Sequence, residues 1–403
     1  MKFLLLIPLT AGLDNGLGGL PQMGYNSWYD LQCNDEMNED VLKQTLDAFV
    51  LQGFPQLGYN YFNLDDCIVD SERDENGRLQ GDRTKFSSGM RALSDYVHKN
   101  EMLFGVYTDR GNATCANRPA ALGNEQLDAD TYANDWQIDY LKEDSCYADG
   151  DHDVAFSQYG LMRDALNATG RPVFFSLCGW EDWYAPVGKD LRNSWRTGQD
   201  DSNWDGVKIN IDVMTNSASN LGDLSVFAGT DKGWNDPCLL LSSRYDGKRA
   251  MTEVQTRAQF SLWAIHAAPL LISGSILNMS EMDLETYQNK EVIAINQDSL
   301  GLQGTRIMGG ELKDEDGMGN CNMYARNLEG GEAALLVVNS KEDEDCEITC
   351  DKACFTKLGF GEAGVNGRDV WGKVDFDIDD FEYTFTNVER SGGFRMIRVS
   401  SQN

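Results

Sequence analysis

Histidine is scarce. The 403 residues include three, His98, His152 and His266. The first falls in a predicted helix, the second in a predicted loop and the third in an apolar helical stretch over 262–268. Each reads as structural, which leaves a Ser-His-Asp relay or a histidine-built metal centre little to stand on. Positive charge is also scarce: 34 Lys and Arg stand against 65 Asp and Glu, a formal charge of −31, with no Lys/Arg cluster. Such a chain repels phosphate backbones, which excludes nucleic acid as a partner. No apolar run of spanning length follows the N-terminal segment, so no transmembrane helix is expected. No CxxC is matched by a distant CxxC or HxxxH, which argues against structural zinc. No glycine-rich dinucleotide fingerprint follows the first strand, and no low-complexity tract occurs. Neither a cofactor nor a metal is indicated.

What is present points to an oxidising compartment. Met1-Lys2, a short apolar run to Leu9 and the small residues Thr10-Ala11-Gly12 follow the order of a signal peptide, here assigned to 1–12. An apolar first strand or a trimmed start would give the same letters. Ten cysteines, an even number, accompany three N-glycosylation sequons at Asn112, Asn167 and Asn278. Together these features favour a secreted or lumenal protein, whether extracellular, vacuolar or lysosomal.

Over the first three quarters, short apolar runs (59–64, 102–107, 138–141, 172–177, 224–228, 269–272) alternate with helical patterns (39–51, 90–99, 154–167, 251–264). In the first of these patterns Leu42, Leu46, Phe49 and Val50 recur at helical spacing. Repeated strand–helix alternation predicts a parallel sheet wrapped by helices. Seven or eight such units within about 290 residues favour a (β/α)₈ barrel over an open sheet. After about Gly304 the pattern changes to strands (321–326, 333–338, 382–386, 394–399) with no convincing helix between them. The expected organisation is a catalytic α/β barrel over 13–303 followed by an antiparallel β-sandwich domain over 304–403.

In barrels of this kind, chemistry sits at the C-terminal ends of the strands. The residues closing the predicted strands are Asn26-Ser27-Trp28, Asp65-Asp66, Tyr107-Thr108-Asp109, Lys142-Glu143-Asp144, Cys178-Gly179-Trp180, Arg196 with Asp200, and Trp234-Asn235-Asp236. Carboxylates, cations and tryptophans converging on one mouth equip a sugar site, because indoles stack on pyranose rings and charged groups fix hydroxyls. With histidine chemistry excluded, paired carboxylates remain, and glycoside hydrolysis is their main use. Along 140–144, alternate residues share a face, which sets Lys142 beside Asp144. An adjacent ammonium favours the ionised carboxylate that a nucleophile needs. A structural ion pair would look the same.

These segments resemble glycoside hydrolase family 27, the α-galactosidases and α-N-acetylgalactosaminidases. The similarity is carried by 13–17, 23–28, 65–67, 105–107, 140–146, 193–196, 233–237 and 292–298, in order along nearly the whole predicted barrel. The resemblance implies a barrel followed by a β-sandwich, and a retaining double displacement at terminal α-linked galactose. It places Asp144 as nucleophile and Asp200, four residues after Arg196, as acid/base. It further implies sugar contacts from Trp28, Asp65, Asp66, Tyr107, Lys142, Cys178, Trp180 and Arg196, with Asp65 and Asp66 on O4 and O6 and Arg196 on O2. Retention implies carboxyl groups about 5–5.5 Å apart. In this scheme Asp144 is ionised beside Lys142, and its charge keeps Asp200 protonated.

Three positions depart from the family's pattern. Asp201 stands where an aliphatic residue is usual, and Cys238 where Asp is common. Gly179 occupies the place of a Glu that reads the 2-substituent in animal galactosidases, which leaves α-N-acetylgalactosaminidase or β-L-arabinopyranosidase activity as alternatives of the same mechanism. A non-catalytic galactose-binding protein is a third reading, disfavoured because both carboxylates are present. The resemblance also implies disulfides Cys33–Cys67, Cys115–Cys146 and Cys350–Cys354. The four remaining cysteines are assigned as Cys321–Cys346 and Cys178–Cys238, with free buried thiols the alternative for the last two. The partner is thus a carbohydrate with terminal α-galactose: oligosaccharide, galactomannan or glycoconjugate.

Overall fold

A computed structural model describes residues 15–402 except 192, 315, 362 and 363; the expected leader lies outside the described residues. Eight short strands form the first sheet: β1 (Met23–Asn26), β2 (Tyr61–Asn63), β3 (Leu103–Asp109), β4 (Tyr140–Asp144), β5 (Phe174–Cys178), β6 (Ser194–Arg196), β7 (Trp234–Asp236) and β8 (Leu270–Ile272). All pairings are parallel, in the order β7-β6-β5-β4-β3-β2-β1-β8. The seam between β7 and β8 is closed by Leu240, which bridges Ile272 just beyond β7. This is the (β/α)₈ barrel expected of the alternation.

The outer helices follow their sequence signals. Glu39–Leu51 is helical over the predicted span, and the Asn38 side chain caps it by accepting from the Asp40 and Val41 N–H groups. Its Leu42, Leu46 and Phe49 are buried against the barrel, each side chain contributing about 1.5–3 kcal/mol of apolar transfer. Glu253–Ile265 starts at a capping box of Thr252 and Gln255, which satisfies two of the helix's otherwise unpaired donors. One prediction fails. The run 224–228 is not a strand: Leu224–Phe227 forms a short 3-10 turn capped by Asp223, and the seventh strand is Trp234–Asp236. A short apolar run bounded by a capping residue satisfies either reading.

The later strands are β9 (Thr305–Met308), β10 (Cys321–Leu328), β11 (Glu332–Asn339), β12 (Cys346–Cys350), β13 (Val365–Asp369), β14 (Val374–Ile378), β15 (Tyr383–Val388) and β16 (Gly393–Ser401). Six of them make an antiparallel sheet, β14-β13-β16-β11-β10-β9, and β12 pairs with β15. A short helix, Lys352–Lys357, which the sequence reading missed, lies between β12 and β13. Alternation explains the packing. Met323, Ala325, Leu335 and Val337 face β12, β15 and that helix. Tyr324, Leu328, Leu336 and Val338 face the barrel. Buried on both faces, β11 reads as a continuous apolar run.

Arg326 on β10 ties the two sheets together. It is 2% exposed, and its Nη1 donates to the carbonyls of Ala264, Ile295 and Asn296 at 2.9, 2.5 and 3.1 Å. These lie at the C-terminal ends of the helices Glu253–Ile265 and Lys290–Asn296, where carbonyls lack intrahelical partners and the dipole favours a cation. Arg326→Met would leave the carbonyls orphaned, and we expect it to cost about 2–3 kcal/mol, read as a fall in chemical-denaturation midpoint. An unchanged midpoint would contradict this role.

Candidate active site

Strand register brings the candidate residues together. Tyr107 pairs with Lys142, Asp144 with Cys178, and Arg196 with Asp236 across neighbouring strands. Asn26, Asp144, Cys178, Arg196 and Asp236 are each the last residue of a strand. Asp65 and Asp66 follow β2 by two and three residues. The chain therefore presents its polar groups on one rim.

Two clusters occupy that rim. In the first, the Lys142 ammonium meets Asp65 at 2.9 Å and Asp144 at 3.8 Å. Asn26 also donates to Asp65, at 2.9 Å. Asp144 accepts from the Tyr107 hydroxyl at 3.0 Å and from the Ser145 N–H at 2.9 Å, so each carboxyl oxygen has a fixed partner. Both oxygens of Asp66 are engaged by backbone N–H groups, of Cys67 at 2.6 Å and Ala116 at 2.8 Å. Two disulfides, Cys33–Cys67 and Cys115–Cys146, hold those same segments.

The second cluster centres on Arg196, which is 4% exposed. Its Nη1 donates to Asp200 at 3.0 Å and to the Cys178 sulfur at 3.5 Å. Its Nη2 donates to the carbonyls of Gly198 and Gln199 at 3.1 and 2.8 Å. The Asp200 side chain is 53% exposed, whereas Asp201 is 5% exposed and takes a hydrogen bond from Gln259 at 3.2 Å. Of the two consecutive carboxylates, Asp200 is the one open to the outside.

The electrostatic order differs from the expectation. Burial, reinforced by Asp200 and Asp65 and only partly offset by Lys142, pushes Asp144 up to about 6. Against burial, the Arg196 guanidinium and Lys142 hold Asp200 below the usual carboxylate range. The expectation had Asp144 as the stronger acid. The correction has a geometric cause: Lys142 sits closer to Asp65 than to Asp144, and Arg196 is in direct contact with Asp200.

The expected Cys178–Cys238 bridge is also corrected. Both are buried thiols: Cys178 accepts from Arg196, and Cys238 lies beside the Asp201 carboxyl. Cys321–Cys346 and Cys350–Cys354 are disulfides. The three sequon asparagines are exposed. His98 bonds Asp139 at 2.6 Å, and buried His266 contacts the Leu262 carbonyl at 2.8 Å. His152 opens the helix His152–Ala168, rather than lying in a loop, and stacks on Trp183 with centroids 3.7 Å apart. No histidine joins the site.

Trp28 and Trp180, both partly buried, complete the predicted set. The Trp28 N–H is fixed by Asn26 at 2.8 Å, and the Trp180 carbonyl accepts from Gln199 at 3.2 Å. Sequence reasoning missed Tyr184. A Cβ on Gly179 would lie 1.9 Å from the Tyr184 ring, so the space of the absent side chain is already filled. It also missed Gln259, on the helix Glu253–Ile265. Neither carries a local signal, since both reach the rim only through the fold.

Comparison with known proteins gives a consistent result. The family described as "Alpha galactosidase A", a melibiase group, matches residues 20–298. Alpha-galactosidase 3 of Arabidopsis thaliana is 39% identical over 365 residues, 90% of this chain and 78% of that one. The alpha-galactosidase of Cyamopsis tetragonoloba is 38% identical over 384 residues, 91% and 85% of the two chains. Among solved structures, the α-galactosidase of Saccharomyces cerevisiae superposes with a TM-score of 0.84 at 28% identity, covering 98% of this chain and 100% of that one. The same enzyme has been solved with raffinose, with a TM-score of 0.82 at 27% identity and the same coverage.

The buried carboxyls make a stability prediction. Burial raises Asp30, Asp144, Asp212 and Asp236 to about 6, Asp201 to about 7 and Asp109 to about 8. A raised folded-state value favours the fold while the group is protonated. That contribution is complete below the unfolded value near 4 and is lost as pH climbs through 6–8. Asp82, Asp182, Asp200 and Asp205 are lowered and act oppositely, losing their contribution as pH falls through their depressed values. We expect the thermal midpoint to peak at about pH 4 and to fall as pH rises toward 8. A midpoint that climbs from pH 6 to 8 would be inconsistent with these burials.

Proposed function

The chain belongs to the α-galactosidase A family, glycoside hydrolase family 27, and from that membership we propose how its site removes terminal α-linked galactose. The protein is a glycoside hydrolase of the α-galactosidase class. In our reading Asp144 attacks the anomeric carbon while Asp200 protonates the departing oxygen. The covalent glycosyl-enzyme is then opened by a water that Asp200 deprotonates, and two inversions retain configuration. The observation that carries this assignment is the fixation of Asp144, whose two oxygens accept from Tyr107 and Ser145 while Lys142 stands 3.8 Å away. Such preorganisation leaves the carboxylate aimed before substrate arrives.

The remaining residues bind. Asp65 and Asp66 hold O4 and O6, Arg196 holds O2, and Trp28 and Trp180 offer ring faces. A galactosyl O2 on Arg196 would draw the guanidinium away from Asp200 and release that carboxyl to take up its proton. With Asp144 raised and Asp200 lowered, the productive form (Asp144 ionised, Asp200 protonated) is a minority microstate between the two titrations. Galactose is favoured over N-acetylgalactosamine because Tyr184 fills the space beside Gly179. The relatives are themselves alpha-galactosidases. The four disulfides support an oxidising compartment, and we propose that the protein is secreted or lumenal. No described helix is long and apolar enough to cross a membrane. We further propose galactose-capped oligosaccharides of the raffinose type as substrates.

The test is hydrolysis of aryl α-galactoside. Wild type should turn it over and Asp144→Asn should fall to background. Asp200→Asn should lose about 10²–10⁴-fold. Aryl α-N-acetylgalactosaminide should be the poorer substrate, and a preference for it would overturn the galactose assignment. The kcat/KM profile should be bell-shaped with its alkaline limb at about pH 6, where Asp144 titrates. An alkaline limb above pH 8 would contradict that electrostatic order.

A further inference from the structure

Asp201 is a buried carboxyl that the mechanism does not use. It follows Asp200 directly, yet the two have opposite surroundings: the Asp200 side chain is 53% exposed, and Asp201 is 5% exposed. Burying a carboxyl without a role is unfavourable, and an apolar residue of similar size would serve packing better. Asp201 is instead clamped. Gln259 donates to its Oδ2 at 3.2 Å, and the buried Cys238 thiol lies beside the same carboxyl. Gln259 also donates to the Leu239 carbonyl at 3.1 Å and accepts from the Leu241 N–H at 2.9 Å, which fixes it to the segment after β7. Cys238 has φ +149°, a conformation that L-residues rarely adopt, and its carbonyl accepts from the Trp263 indole at 3.0 Å. Strain of this kind persists only where surrounding contacts hold it. The first turn of the helix Trp204–Thr215 presses on the same place, since a Cβ on Gly206 would come within 3.0 Å of the Asp201 Cα and Cβ.

The turn between β6 and this clamp carries Asp200. Its front is pinned by Arg196, bonded to the carbonyls of Gly198 and Gln199, and by Asn210, which donates to the Gln199 carbonyl at 2.8 Å. Its back is pinned by Asp201. We infer that Asp201, held by Gln259 and Cys238, is a positioning residue that sets the reach of the Asp200 carboxyl toward the departing oxygen. This rests on the assignment of Asp200 as acid/base. Burial pushes the Asp201 carboxyl up to about 7, so it acts through the acid range as a neutral hydrogen-bonding hub rather than as a charge.

Leaving-group dependence tests the inference. An alkyl galactoside needs protonation of its departing oxygen, whereas a 2,4-dinitrophenyl galactoside scarcely does. Asp201→Leu should lower kcat/KM on the alkyl substrate about 10–100-fold while leaving the dinitrophenyl substrate within about threefold. Asp201→Asn, which keeps an acceptor for Gln259 in the same volume, should recover most of the lost alkyl activity. Cys238→Ala, a milder cut in the same clamp, should show the same split with smaller size, and it serves if Asp201→Leu does not fold. Equal losses on both substrates would mark a merely structural role and overturn the inference. So would no loss on either, or an Asn variant as damaged as the Leu variant. Asp200→Asn run alongside separates the two claims. If that control shows no leaving-group dependence, the acid/base assignment itself fails; if the control behaves and the Asp201 split is absent, only the positioning role fails.

Discussion

A cation placed in a barrel mouth must be neutralised by neighbours, because water there is too sparse to do it. Lys142 has only 13% of its side chain exposed, and Asp65 and Asp144 meet it. Those two carboxylates arrive from β2 and β4, with Tyr107 of β3 between them. The alternation of side chains on β4, the register of β3 on β4 and the length of the β2 loop are therefore coupled. A slip of one residue in β4 would send Lys142 and Asp144 into the helix layer and bring Glu143 inward. Glu143 is fully buried on that outer side, and burial pushes its proton affinity well up. The strand thus separates a charged inner face from a neutral outer one.

The antiparallel unit contributes rigidity at a distance from the rim. It packs one face of β10 and β11 onto the helix Glu253–Ile265, and Arg326 binds the end of that helix. The same helix supplies Gln259 and Trp263, which fasten the segment after β7. A mechanical path therefore runs from the sheet through one helix to the turn that bears Asp200. It consists of direct hydrogen bonds and close packing, the sort of network that holds first contacts within the tolerance chemistry requires.

Much of this was legible in the letters. The barrel followed from strand–helix alternation, and the helix 39–51 from Leu42, Leu46 and Phe49 at helical spacing. The rim followed from the habit of placing polar residues where strands end. What stayed hidden depends on three-dimensional neighbours. The run 224–228 has the composition of a strand, and its conversion to a 3-10 turn is decided by Asp223 and by packing. Tyr184 and Gln259 lie five and 58 residues after Gly179 and Asp201 in sequence, and no spacing rule connects either pair. The proton order of Asp144 and Asp200 turns on which carboxylate each cation touches, and β-strand parity cannot supply that.

The two thiols show why pairing by elimination fails. Cysteine counting leaves Cys178 and Cys238 as the last candidates, and both lie on the rim near Arg196. Arg196 instead donates to the Cys178 sulfur at 3.5 Å, and Cys238 lies beside Asp201. Arg196 favours thiolate character in both, while burial outweighs it and keeps both protonated. The protonated Cys238 thiol lies beside the Asp201 carboxyl. The two departures from the family's usual residues, at 201 and 238, therefore meet in one buried contact. Each explains the other: a buried carboxyl at 201 is better tolerated beside a neutral thiol at 238 than beside the second carboxyl the family commonly carries there.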